Sequence, residues 1–438
     1  MKNYRIVRIA GMGYKAAIEK LYSKDKGLYM LSYAEQQKTL FDMAYVYSDG
    51  FSRGMRSLGH DAHEIVYDLE ILQKKWAEEK GVKFNPENWQ SEIILRQIED
   101  LKPDIVYFQD IYSLPLSIRR QLKSIFPFIK LVVIFRGYPG GIPDILIKEL
   151  MCADILLLGS PVLMEKLRAG GLMPHLVYHS FDEAILEAIS KDKTKENSSL
   201  HYDLTFIGSS GFGRGWGHIS RYWFLSDLIK KTNLALWLDE GEDKQELQHI
   251  SLKEILKKPA KILLSNLNTE MLMKLSMHEV IPEKARSAML GIMQEKKNMS
   301  DNTKRLPEKR LSEIYPGRCN PPVFGLEMYK ILQRSNVTFN IHSDAAQGTV
   351  DNMRMFQATG VGTCLLTDTG WNMSDLFEAD REVVTYSNIN ECIEKAKYLL
   401  EHEDVRQRIA TAGQKRTLKV HNMLNRCRQL DEIIQRRL

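Results

Sequence analysis

The stretch "NVTFNIHSDAAQGTVDNMRMFQATGVGTCLLTD", residues 336–368, decides how the chain folds. "NVTFNIH" is β-branched and aromatic enough for a strand, and it delivers His342 at its end. A polar loop, "SDAAQGTVD", follows, in which Gly348 lets backbone N–H groups come close to a ligand. "NMRMFQAT" has the period of a short helix, and "GVG" breaks it before a second apolar run, "TCLLT". Strands that are nearly continuous apolar runs, joined through helices, predict a parallel sheet covered on both faces.

The same alternation recurs in both directions. Upstream, "YRIVRIAG", "HEIVYD", "KPDIVYFQD", "KLVVIFRG", "ADILLLGS" and "HLVYHSF" read as strands, with helical patterns such as "SPVLMEKLRAGG" between them. The rhythm stops at about 186–202, "AISKDKTKENSSLHYD", a polar Lys-rich linker. It restarts at "DLTFIGSSG" and "LALWLDEG". Two α/β halves of similar size predict two doubly wound domains facing each other across a cleft. We expect the first at 1–190 and the second at 203–421. A helix at 422–438 completes the chain and has the first domain as a candidate packing partner. Residues of about 241–312 break the rhythm; they are helical in pattern and strongly charged, and predict a helical insertion in the second domain.

With 438 residues, 44% hydrophobic and 27% charged, the composition is that of a soluble globular protein. No window approaches the ~18 consecutive apolar residues of a membrane span. The five cysteines are scattered and lack zinc spacing, which points to reduced thiols and a cytoplasmic protein. The net charge of +5 is compatible with phosphorylated ligands or with peripheral contact at the inner face of an anionic membrane, and selects neither. Nucleic acid is not expected, because no aromatic residues interleave with the basic clusters.

Ligands of open α/β sheets sit outside the carboxyl ends of the strands. At 336–368 the helix N-terminus suits an anion, and Arg354 in its first turn suits a phosphate. His342, Gly348, Asn352, Gly360, Gly362 and Thr363 join it as candidate ligand residues, His342 with a catalytic role. Gly208 and Ser209 leave room after another strand, and Arg221 opens the helix that follows. In the first domain Asp110 ends a strand and is a candidate general base. Gly11, Gly13, Asp49 and Arg136 are candidate acceptor contacts, with Asp49 also placed to cap a helix. No Asp-x-Asp, Walker A, Gly-x-Ser-x-Gly or His-Glu-x-x-His motif occurs. Metal-independent group transfer, with no cofactor, is the expectation that remains.

The segments "GLEMYKILQRSNVTFNIHSD", "NMRMFQATGVGTCLLTD" and "LFEADREVVTYSNINECIEKAKYLLEHEDVRQRIATAGQKRTLKVHN" resemble the C-terminal domain of CgeB-like (glycosyl transferases group 1) proteins. The matching positions are Asn340, His342, Asn352, Arg354, Phe356, Gly360, Gly362, Asp368, Phe377, Glu382, Gly413, Arg416 and His421. "YSDGFSRGMRSLGHDAHEI", "LQKKWAEEKG" and "KPDIVYFQD" are similar to the N-terminal half of that family. The resemblance implies a GT-B fold of two Rossmann-like domains. It also implies a nucleotide-sugar donor in the second domain, an acceptor in the first, and no metal. Related retaining enzymes carry a Glu-x7-Glu pair, whose second Glu binds the donor ribose; the corresponding residues here are Thr349 and Gln357. Gln357 retains the capacity to hydrogen-bond a hydroxyl.

The leading expectation is a glycosyltransferase acting on a glycan, lipid-linked or protein acceptor in surface polysaccharide or glycoconjugate assembly. Two alternatives stay open at this point: a nucleotide-sugar epimerase, and a non-catalytic coat or assembly protein on the same fold.

Overall fold

The computed structural model describes residues 2–45, 48–137, 147, 150–191, 201–214, 216–241, 267–276, 289 and 306–438. Two six-stranded parallel sheets organise them. The first contains β1 (Arg5–Ala10), β2 (Asp61–Val66), β3 (Ile105–Phe108), β4 (Leu131–Arg136), β5 (Ile155–Leu158) and β6 (His175–Leu176), in the order β2-β1-β3-β4-β5-β6. The second contains β7 (Tyr202–Ser209), β8 (Leu234–Asp239), β9 (Cys319–Asn320), β10 (Ser335–Asn340), β11 (Cys364–Asp368) and β12 (Val384–Tyr386), ordered β12-β11-β10-β7-β8-β9. Every pairing between these strands is parallel.

Apolar strands make this arrangement obligatory. All four residues of β3 and of β5 are buried, so both faces need helices. On one face of the first sheet Val7, Ile9, Val106 and Ile134 pack beneath Ile94 and Ile98 of the helix Trp89–Leu101. On the other, Ile6, Tyr107 and Val133 meet Phe51 and Met55 of the helix Gly50–Ser57. The same core contains Cys427, Leu430, Ile433 and Ile434, because the helix Met423–Gln435 crosses back onto the first sheet. In the second domain Phe206, Phe339 and Leu366 sit under Leu225 and Leu228 on one face, while Ile207 and Leu365 meet Leu332 and Phe356 on the other.

The chain passes between the domains twice, and the two passages pair. Phe181 and Asn422 form a parallel bridge: Phe181 N–H donates to His421 O (2.9 Å), and Met423 N–H donates to Phe181 O (2.9 Å). Buried His421 fixes the turn. Its Nε2–H donates to Leu376 O (2.8 Å), while Nδ1 accepts from Arg426 Nη2 (2.8 Å). Burial and two neighbouring arginines, Arg426 and Arg416, push its pKa down to about 4, so the ring is neutral.

Some expected boundaries shift. The helix Ala184–Lys191 runs into the stretch read as linker, and residues 192–200 lie outside the described residues. Of the expected insertion, the helices Thr269–Ser276 and Leu311–Ile314 are described, and most of the rest of 242–305 lies outside. Among the described residues no helix is long and apolar enough to cross a membrane.

Candidate functional site

Each sheet has one place where its strand order reverses. In the first the chain runs outward from β1 to β2 and returns to β3; in the second it runs outward from β7 to β9 and returns to β10. Loops diverge at such a reversal, and the crevice they leave outside the carboxyl ends is where ligands of these sheets bind.

The two carboxyl edges face each other and touch at both flanks. At one flank, Tyr14 from the loop after β1 packs on Phe324 with ring centroids 4.2 Å apart and the planes tilted by 31°. Leu326 N–H beside it donates to Met43 O (2.9 Å). Gly325 has φ +58°, and a Cβ there would stand 2.3 Å from Met43 O, so only glycine fits this close approach. At the other flank Ser160, after β5, lies 3.3 Å from Thr349, after β10. Tyr178, after β6, accepts from Asn372 Nδ2 (3.3 Å) and donates to Asp375 (3.2 Å). The two reversal points lie between these flanks.

On the second-domain side, Arg221 ties the crevice together. Its guanidinium donates to Ile341 O (3.0 Å) and Ser209 O (3.5 Å), one carbonyl from each wall, and its Nε is buried without a partner. Neighbouring Ser220 N–H donates to Asp344 (3.0 Å), holding the loop after β10 to the start of the next helix. His218 lies between Arg214 and Arg221; burial and these cations push its pKa down to about 4 and keep it neutral. Ser209 Oγ accepts from Gly211 N–H (3.2 Å), which shapes the turn after β7.

His342 is engaged on both ring nitrogens. Nδ1 lies 2.7 Å from Asp368 Oδ1, so it carries the proton, and Nε2 accepts from the backbone N–H groups of Asp351 (3.1 Å) and Asn352 (3.2 Å). The ring therefore ties β11 to the start of the helix Met353–Gly360. Asn352 caps that helix through its side-chain Oδ1, which accepts from Met355 N–H (3.3 Å), and its side-chain amide donates to Asn340 Oδ1 (2.9 Å). The expectation of a catalytic role for His342 meets a ring whose two nitrogens are both committed to positioning the loop.

Arg354 occupies the seam. Its Nη1 rests against Met328 Sδ (2.9 Å), between Tyr329 of its own domain and Tyr14 of the other. Nε is buried with no hydrogen-bond partner, and no carboxylate among the described residues pairs with the guanidinium. Burial pushes its pKa down.

Three expected donor contacts fall at the wrong end of the sheet. The helix Met353–Gly360 starts at the carboxyl edge and returns to the amino end of β11, about 12 Å away at 1.5 Å per residue. Gly360, Gly362 and Thr363 therefore sit opposite the cleft. A Cβ on Gly360 would stand 2.4 Å from the Phe181 ring, Gly362 (φ +88°) packs on Gln414, and Thr363 Oγ1 donates to Leu332 O. Gln357 is buried, with its amide turned to Tyr329 OH (3.3 Å), so in this structure it does not present itself to a ribose. Gly348 (φ +82°) does lie on the cleft edge, where its carbonyl accepts from Trp371 N–H (3.1 Å).

On the first-domain side Asp110 accepts from Tyr67 OH (2.9 Å) and from Tyr112 N–H (2.8 Å) in an Asx turn. Burial raises its pKa, and nearby Asp68 adds to that. Gly11 is backed by Asp68, whose carboxylate accepts from Met12 N–H (2.9 Å) and Gly13 N–H (3.2 Å), so the β1 loop is held over β2. Arg136 stands at the carboxyl end of β4 and is half-buried. Asp49 holds the cap position of its helix without capping it; its carboxylate pairs with Arg53 (3.0 Å).

Sequence reasoning missed Tyr14, Phe324, Asp68 and Asp351. Asp351 is buried in the seam with Oδ2 unpartnered, and burial raises its pKa against the help of Ser160. Among the described residues no three His, Cys, Asp or Glu side chains gather as a metal site.

Two parallel six-stranded domains opposed at their carboxyl edges define the GT-B architecture. Solved structures share it across the whole chain. Anabaena HepE in complex with UDP-glucose superposes with a TM-score of 0.55 at 10% identity, covering 99% of this chain and 100% of that one. A glycosyltransferase from Rickettsia africae gives 0.52 at 9%, covering 100% and 99%. Sucrose-phosphate synthase from Thermosynechococcus elongatus gives 0.51 at 10%, covering 99% of each. In sequence, residues 301–432 match a family described as glycosyl transferase-like, under a third of the chain. A comparison with curated proteins finds no match.

Proposed function

We propose that this protein is a glycosyltransferase of CgeB-like type that transfers a sugar from a nucleotide-sugar donor to an acceptor hydroxyl without a divalent metal. The glycosyl transferase-like match at 301–432 and the GT-B fold support the reaction class. Surface polysaccharide or glycoconjugate assembly is the setting proposed for it.

One observation carries the reading: the half-buried guanidinium of Arg354, at the seam of the two domains, with Nε fully buried and no carboxylate among the described residues pairing it. A buried cation without a counter-ion is costly and is retained where an anion binds. A nucleoside diphosphate at the β7/β10 crevice supplies that charge to Arg354 and to Arg221. The acceptor oxygen attacks the anomeric carbon, and the bond to the diphosphate breaks with its electrons on the leaving oxygen. The arginines stabilise that charge. Asp110, with a pKa raised by burial, takes the acceptor's proton. His342 holds the loop and does not transfer a proton.

Calorimetry and thermal shift against UDP, GDP, CDP and dTDP, in EDTA, test this directly. One nucleoside diphosphate binding selectively is expected, with its sugar nucleotide consumed when an acceptor is present. No binding by any of them overturns the proposal. A second reading, nucleotide binding without turnover, is favoured by Thr349 and Gln357, which turn to Ser160 and Tyr329. Binding with neither hydrolysis nor transfer selects it.

A further inference from the structure

The first domain contains a cavity of about 950 Å³, at the upper end of the range of small-ligand pockets. It lies against the face of the first sheet, between the helices Tyr33–Asp42, Gly50–Ser57 and Ala184–Lys191. Its inner end reaches the cleft at Gln109, His179 and Met353, the last being the first residue of the helix that carries Arg354. We propose that this chamber is the acceptor site and that its occupant is a neutral saccharide. This rests on the reading of the protein as a glycosyltransferase.

The charge of the chamber is balanced, which favours a neutral occupant. Six basic side chains and six carboxylates line the chamber, and its deepest pair, Arg8 and Glu64, is joined at 2.7 Å with both side chains 5% exposed. Arg53 at the rim is shared by Asp49 (3.0 Å) and Asp182 (2.5 Å). Lys38 pairs with Asp42 and Lys191 with Glu187 (2.5 Å), while Arg56 donates to Ala62 O (2.8 Å) and Arg426 to Tyr178 O (2.9 Å), so each cation is engaged within the protein.

Wall chemistry excludes an alkyl chain. Gln37, Gln97 and Gln109 present amides among the apolar groups, and Gln97 Oε1 is buried without a partner. An alkyl chain would leave such groups desolvated and unbonded, at a cost of about 1–3 kcal/mol each. Hydroxyls satisfy them. Nine aromatic side chains line the remainder, among them Tyr33, Phe41 and Tyr178, which are only half-buried. Aromatic faces suit the C–H faces of a sugar ring, as amides suit its edge. His179, neutral because burial pushes its pKa down to about 4, adds a polar group without charge at the inner end.

The experiment uses the full-length protein and a panel of neutral mono-, di- and trisaccharides built on glucose, galactose, mannose and N-acetylglucosamine. Binding is read by saturation-transfer NMR and calorimetry, with and without UDP. Maltose and dodecyl maltoside form a matched pair. At least one saccharide is expected to bind, and the dodecyl chain to add less than 3-fold. Ala188→Trp, which fills the chamber from the helix Ala184–Lys191, and Gln97→Leu are each expected to weaken that saccharide at least 10-fold. Circular dichroism and UDP affinity should stay unchanged. Saccharide binding with no response to any nucleotide supports the chamber and sinks the donor reading alone. The proposal is overturned if no saccharide binds, if affinity follows the alkyl chain, or if both folded variants bind as the wild type does.

Discussion

Replacing Arg354 by methionine should move stability and ligand affinity in opposite directions. In the free protein the guanidinium is desolvated at the seam, against Met328 Sδ and between two tyrosines, with an unpartnered Nε. Exchanging a poorly compensated buried charge for an apolar side chain of similar length is neutral or stabilising, by about 1–4 kcal/mol in comparable cases. A nucleoside diphosphate loses a charge-assisted contact worth about 1.5–3 kcal/mol, which is roughly 10- to 150-fold in Kd. Denaturant unfolding and calorimetry with UDP, or with whichever nucleoside diphosphate binds, read the two effects separately. A guanidinium with a purely structural role predicts the reverse: Arg354→Met would lose stability and bind the nucleotide as before. That result would refute the assignment of an anion to the seam.

His342→Ala should cost about 2–4 kcal/mol of stability, because two helix-start N–H groups lose their acceptor and Asp368 loses one of its donors. Urea unfolding checks it, and a stability loss below 0.5 kcal/mol (about the limit of such a measurement) with turnover abolished would restore a catalytic role. Stability should also fall with pH. His421 has a folded pKa of about 4 against an ordinary 6.5, so the folded state binds fewer protons than the unfolded one between these values. Its contribution is complete above pH 6.5 and is lost as pH falls to 4, about 3 kcal/mol in all. His421→Gln should flatten the profile, and equal slopes in the two proteins would exclude this residue as the cause.

The sheets were legible because their strands are buried on both faces. "ILLL" at β5 and "IVYF" at β3 leave no other use for such runs. Arg354 and Arg221 were legible as arginines just past strand ends. Committed side chains were not. Nothing in "NIHSD" says that Asp368, 26 residues on, closes on His342 Nδ1. Asp351 looks like a solvated loop residue until Ser160 of the other domain covers it. The misplacement of Gly360, Gly362 and Thr363 has a simpler cause. A helix joining two parallel strands must run against them, so only its first turn reaches the carboxyl edge.

The helix Met423–Gln435 gives the order of synthesis a structural meaning. Gly54 lies so close to Cys427 that a Cβ would stand 2.6 Å from its Sγ, and Tyr4 and Lys2 bond to Asp431 and Gln435. Residues translated ahead of the first sheet thus find their partners among residues 423–435. At roughly 5–20 residues per second, the first sheet waits on the order of 10–50 s on the ribosome for one layer of its core. During that interval Ile6, Tyr107 and Val133 lack part of their cover. A chaperone that binds nascent apolar surface would meet the first domain then, and release it only after the second has been made.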